Sequence, residues 1–159
     1  MAEQGVPLDT QTQLTPRMGW LDEPHGTEVA NRISVQFDAG PSAAAWARNA
    51  LVAIDPHVAP ELMADVRLLV SELVTNSVRH SDISASDVVG LDVSVDRDRI
   101  YVQVCDSGAG FDPRPRQPGQ SKAGGWGLYL VERLANRWGV LRNGMTRVWF
   151  EIDCAAPRP

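Results

Sequence analysis

Cysteine is scarce in this chain: Cys105 and Cys154 are the two in 159 residues, far apart in sequence and neither in a Cys-x-x-Cys pair. That excludes a disulfide framework and leaves a zinc knuckle without ligands. Both thiols read as buried or incidental. Long hydrophobic runs are missing too, since none approaches the ~18 apolar residues of a membrane span. The start, Met1 to Gln13, has neither the basic segment nor the apolar segment of a secretory leader, so the expectation is a cytoplasmic protein that makes no membrane contact. There is no excess of positive charge: 15 Lys and Arg against 20 Asp and Glu leave a net charge of -5, which gives no broad electrostatic footprint for direct nucleic-acid binding. No internal repeat is present. What remains, 43% hydrophobic and 22% charged residues over a length suited to one domain, is the composition of a folded globular chain without room for a second catalytic domain.

Residues 1–30 carry Pro7, Pro16 and Pro24 and no apolar period, and read as an N-terminal arm. A folded domain is expected over 31–154, with 155–159 as a tail. Ile33, Val35 and Phe37 alternate with polar residues, the pattern of a strand with one buried face. The Ala-rich run from Ser42 to Ile54 predicts a first helix ended by Asp55-Pro56. Between Val58 and His80, Leu62, Val66, Leu69, Val70, Leu73 and Val74 share one arc at ~100° per residue, so a long central helix is predicted. Val89 to Val95 and Ile100 to Val104 alternate on either side of Asp96-Arg97-Asp98 and form an antiparallel hairpin. Residues 107–124 read as a loop whose length suggests a functional lid. A third helix is predicted from Trp126 to about Arg137, with Ala135 and Trp138 on its apolar spacing. Val140-Leu141, a turn at Asn143-Gly144 and a strand through Val148, Phe150 and Ile152 complete the chain. Strands with one apolar face need one covering layer, which predicts an α+β, two-layer sandwich: an antiparallel or mixed sheet with helices on one side.

Three polar or glycine-rich segments interrupt this pattern. Glu72 and Asn76, four apart, form a stripe beside the apolar arc of the central helix, with Asp65 and Arg79 nearby; taken alone, the stripe reads as a solvated helix face. His80 reads as a C-terminal helix residue. In Asp106-Ser107-Gly108-Ala109-Gly110, Asp106 shares the parity of Ile100, Val102 and Val104, which points its carboxylate toward the core side. An inward carboxylate needs donors, and an adenine amino group is one such donor. Alone, Asp106 also describes the cap of a glycine-rich turn. Gly124-Gly125-Trp126-Gly127-Leu128 opens the third helix, where bare backbone and unpaired N–H groups suit phosphate. It lacks the Lys-Ser/Thr of a P-loop and the position of a dinucleotide fingerprint.

Taken together and in this order, Glu-Leu-Val-Thr-Asn-Ser-Val-Arg-His at 72–80, Asp-Ser-Gly-Ala-Gly-Phe at 106–111 and Gly-Gly-Trp-Gly-Leu-Tyr-Leu-Val at 124–131 resemble the N box and the two glycine boxes of the GHKL ATPases. The resemblance covers about residues 33–153. The compact form ending Thr146-Arg147-Val148-Trp149-Phe150-Glu151 looks most like the anti-sigma-factor serine/threonine kinase branch. It implies the Bergerat ATP-binding fold, with ATP and Mg²⁺ as cofactors. Asn76 would hold the metal, and Glu72 would be the general base. Asp106 would accept from adenine, supported by Thr146. Gly108 and Gly110 would let backbone pass the nucleotide, and Gly124, Gly125, Trp126, Gly127 and Leu128 would frame the phosphates. Residues 111–123, with Pro113, Pro115 and Pro118, would be a short, stiff ATP lid. Ser77 departs from the small Ala common after the Asn in that box.

The function this implies is an ATP-dependent protein serine/threonine kinase that captures a sigma factor and phosphorylates a seryl residue of an anti-anti-sigma antagonist. Homodimerisation is common in that branch. The alternative is an ATP-binding regulatory module that engages protein partners without phosphotransfer. A histidine kinase catalytic part is the weaker reading, because neither His57 nor His80 stands in a phosphoacceptor helix pair.

Overall fold

The computed structural model describes residues 31–80, 83–108 and 126–154. In chain order these form β1 (Asn31–Asp38), α1 (Ala43–Ala50), a 3₁₀ segment (Leu51–His57), α2 (Pro60–His80), β2 (Val88–Val95), β3 (Arg99–Asp106), α3 (Trp126–Leu134), β4 (Arg137–Arg142) and β5 (Thr146–Asp153). The five strands make one sheet in the order β1-β2-β3-β5-β4, and every pairing is antiparallel. This is the expected α+β arrangement.

Alternation decides what each strand turns toward the helices. Val89, Leu91, Val93 and Val95 of β2, Ile100, Val102 and Val104 of β3, and Val148, Phe150 and Ile152 of β5 are all buried on that side. Against them α2 sets Leu62, Met63, Val66, Leu69, Val70, Leu73 and Val74, the apolar arc predicted by its 3.6-residue period. Pro60 suits the first helical position, where its missing N–H is no loss, and Glu61 lies in the first turn with the favourable sign for the helix dipole. Ala43 and Ala47 of α1, with Leu51 and Ile54 after it, close the layer. Arg67 of α2 pairs with Asp55 and donates to the Arg48 carbonyl at 3.3 Å, while Arg48 donates to Ser71 Oγ at 3.2 Å; these contacts pin α1 and the 3₁₀ segment to α2.

Three local expectations change. The first helix is not continuous to Ile54: it tightens to 3₁₀ geometry at Leu51 and runs through Pro56 to His57. In a continued α-helix the Pro56 ring would clash with the carbonyl four residues before it, at Val52, so the α-helical ladder gives way ahead of the proline. The third helix stops at Leu134 rather than near Arg137. The Ala135 N–H still bonds the Val131 carbonyl at 2.9 Å, but the Asn136 N–H turns to the Glu151 carbonyl at 2.9 Å and so joins the sheet. Trp138 is therefore a strand residue opposite Phe150, not a helix residue. Finally, the sheet face away from the helices is not simply solvated. Asp92 and Gln103, opposite one another on β2 and β3, are only 5% and 4% exposed there, and Tyr101 stacks on Trp149 beside them with ring centroids 6.1 Å apart.

Candidate functional site

β3 carries the alternation Ile100, Val102, Val104 one step further to Asp106, which is 3% exposed at the end of the strand. Register places Thr146, the first residue of β5, directly opposite it, and Thr146 is 1% exposed. The two side chains hold one residue, Gly108, through its two flanking peptide groups: the Gly108 N–H donates to Asp106 Oδ1 at 2.9 Å, and Thr146 Oγ1 donates to the Gly108 carbonyl at 3.1 Å. The turn cap considered from the sequence and the inward carboxylate are thus the same residue. An i to i+2 bond from Gly108 fixes the carboxylate's direction at the mouth of the core. Thr146 shares the parity of Val148, Phe150 and Ile152, so its inward placement was readable from alternation as well as from the family resemblance.

Residues 81–87 join the C-terminal end of α2 to β2, whose second residue, Val89, also faces Asp106, so this turn of α2 leads to the same end of the sheet. Glu72 and Asn76 are half-buried on α2, one above the other. Ser77, the departure from the small residue of the motif, is 3% exposed. Over Glu72 and Asn76 lies the start of α3. Leu128 and Val131 anchor that helix, at 5% and 0% exposure, and Gly127 brings bare backbone onto α2. A Cβ at 127 would collide with the Asn76 carboxamide nitrogen and would meet Asn76 Cγ and Glu72 Cβ at 3.4 Å. This intimacy of Gly127 with Asn76 and Glu72 is invisible to spacing, because it depends on how two distant helices cross.

Asn76, Glu72, Gly127 and Leu128 are therefore brought together, and Asp106, Gly108 and Thr146 form a second group at the strand ends. Gly110, Gly124, Gly125, the side chain of Trp126 and the expected lid at 111–123 lie outside the described residues. Among the described residues no cluster of three or more His, Cys, Asp or Glu side chains is placed to hold a metal. The donor set suits a hard ion that takes one carboxamide oxygen and completes its shell with water and phosphate oxygens, as Mg²⁺ does, better than one that needs an all-protein cage. A glycine cradle beside that carboxamide and a buried carboxylate at the strand ends fit a magnesium nucleotide. No helix among the described residues is long and apolar enough to cross a membrane.

Comparison with known proteins agrees with this geometry. The serine-protein kinase RsbW of Listeria innocua serovar 6a is 29% identical over 118 residues, spanning 65% of this chain and 75% of the relative. The anti-sigma F factor of Clostridium beijerinckii is 31% identical over 85 residues, 52% of this chain and 59% of that one. The histidine kinase domain of the blue-light activated histidine kinase of Erythrobacter litoralis EL346 is 32% identical at a TM-score of 0.47, covering 60% of this chain and 48% of the other, a superposition too partial to bear on function. A family model described as the histidine kinase-like ATPase domain matches residues 37–152, a span that holds both glycine segments, the Glu72–Asn76 stripe and Thr146. The chain belongs to the family of histidine kinase-like ATPase domains.

Proposed function

We propose that this chain is an ATP-dependent protein serine/threonine kinase that acts in the cytoplasm as an anti-sigma factor, phosphorylating a seryl residue of an anti-anti-sigma antagonist and regulating transcription by partner switching. The observation that carries the reading is the seating of Gly127 against both Asn76 and Glu72, within a chain similar to a serine-protein kinase and to an anti-sigma F factor. A metal residue and a base side by side under a glycine helix start are the parts that phosphoryl transfer needs, since the reaction depends mainly on positioning and charge stabilisation.

Each residue then has one task. Asp106 accepts from the adenine amino group, held in direction by the Gly108 N–H while Thr146 donates to the carbonyl of the same glycine. When bound, Mg²⁺ supplies charge neutralisation at the phosphate oxygens, held on the protein side by the Asn76 carboxamide oxygen. Glu72 takes the proton of the attacking seryl hydroxyl, whose oxygen forms the new bond to the γ-phosphorus as the bridging P–O bond to ADP breaks. Gly108 and Gly110 let the backbone pass the nucleotide, and the helix-start segment Gly124, Gly125, Trp126, Gly127 and Leu128 offers its N–H groups to the phosphates.

The test is capture of partners from native cytosol on the purified protein with Mg-ATP, followed by mass spectrometry for new phosphoserine, beside Glu72→Ala. Phosphoserine on a small captured protein, absent with Glu72→Ala, is expected. Nucleotide-dependent capture with no phosphate on any partner would contradict phosphotransfer and favour a binding switch.

A further inference from the structure

Gly127 is the second residue of α3, and its neighbour is a side chain of α2. A methyl group built on its Cα overlaps the nitrogen of the Asn76 carboxamide, stands 3.4 Å from Asn76 Cγ, and reaches Glu72 only at its Cβ, again at 3.4 Å. The two contacts are unequal. The Glu72 Cβ is met at the edge of ordinary contact and lies at the root of its side chain, so its carboxylate need not move. The carboxamide is the outer end of a half-buried side chain, and it must move. Nor does α3 have freedom to retreat, because Leu128 and Val131 are 5% and 0% exposed in the core one residue and one turn further on.

A glycine at a helix start beside a nucleotide is usually credited with letting its own backbone approach the ligand. We propose that Gly127 is instead a positioning residue that acts through Asn76: the missing side chain is the seat of the Asn76 carboxamide and fixes the rotamer in which that group meets the metal–phosphate unit. The inference rests on the reading of Asn76 given above, and it assigns to Gly127 a role separable from phosphate contact. A residue that orients a metal ligand acts on metal affinity, characteristically by 10- to 100-fold. One that only admits ligand to the backbone acts on nucleotide affinity whatever Asn76 is.

The two roles part in a double-mutant cycle, because the coupling of two substitutions measures whether one acts through the other. ATP affinity is measured for the wild type, Gly127→Ala, Asn76→Ala and the double variant, each with Mg²⁺ and with EDTA. Gly127→Ala is expected to weaken ATP about tenfold with Mg²⁺ and less than about twofold in EDTA. Added to Asn76→Ala it is expected to change the residual affinity less than about twofold. In the nucleotide-free protein, the Asn76 side-chain amide resonances should shift in Gly127→Ala, a readout that needs no ligand.

If Gly127→Ala alone fails to fold, restored folding on adding Asn76→Ala supports the same steric coupling, and continued failure overturns it. A penalty in Gly127→Ala that is equal with and without Asn76, in a wild type whose ATP affinity depends on Mg²⁺, overturns the inference alone. A wild type indifferent to Mg²⁺ overturns the reading of Asn76 and the inference together.

Discussion

Gly90 and Cys105 face each other across β2 and β3 on the side of the sheet away from the helices, and the sulfur takes the room a side chain at 90 would need: a Cβ there would stand 2.6 Å from Sγ. Burial, joined by the nearby negative charge of Asp92, pushes the Cys105 thiol up to about 11, so it stays protonated and serves as packing. Gly90→Ala should cost about 1–3 kcal/mol by overpacking. Cys105→Ala in the same chain should recover most of that loss in urea denaturation. A penalty unchanged by Cys105→Ala would contradict the contact. Such a pair shows where sequence reading stops. Asp106 was legible because parity turns it inward and Thr146 through the family resemblance, whereas the partner of Gly90 depends on strand register and that of Gly127 on a helix crossing.

At the scale of elements, the β2–β3 hairpin is held by its turn. The Asp96 carboxylate accepts from the N–H groups of Asp98 at 2.9 Å and Arg99 at 2.8 Å and from Arg99 Nε at 3.3 Å, and Arg99 continues to Glu151 on β5 at 3.1 Å. Burial alone would raise the Asp96 carboxyl, but these hydrogen bonds and the Arg99 charge outweigh it and hold the group below its ordinary value. A carboxyl lowered by folding stabilises the native state above its unfolded pKa of ~3.9, and that contribution fades as pH falls through the lower folded value. Asp96→Ala should therefore lose about 1–2 kcal/mol near neutrality. The wild type and variant should converge in stability as pH falls below the unfolded value of ~3.9 and through the lower folded one. A difference that persists undiminished in acid would contradict the ionic origin. The hairpin, the long helix and the last strand were all legible because period 2 and period 3.6 are strong over eight residues or more. The end of α3 was not, because Trp138 suits a helix face and a strand face equally, and the Asn136 bond to β5 decides between them.

Over the whole molecule, one covered sheet face builds the core, and its two chemical groups sit where helix and strand ends meet it: Glu72 and Asn76 under the start of α3, Asp106 and Thr146 at the open ends of β3 and β5. The order of the three motif segments carries the family resemblance, and of their described residues the structure brings Gly127 onto Glu72 and Asn76 and sets Thr146 opposite Asp106. The inward turn of Asp106 followed from the alternation of β3. The fit of α3 onto α2 did not, being a property of packing rather than of any one segment. If these residues make one magnesium-nucleotide site, titration calorimetry of ATP with Mg²⁺ will separate the wild type from Asn76→Ala. One ATP bound per wild-type chain is expected, with an about tenfold or greater loss of affinity in a folded Asn76→Ala protein. Equal affinity in the two proteins would contradict it.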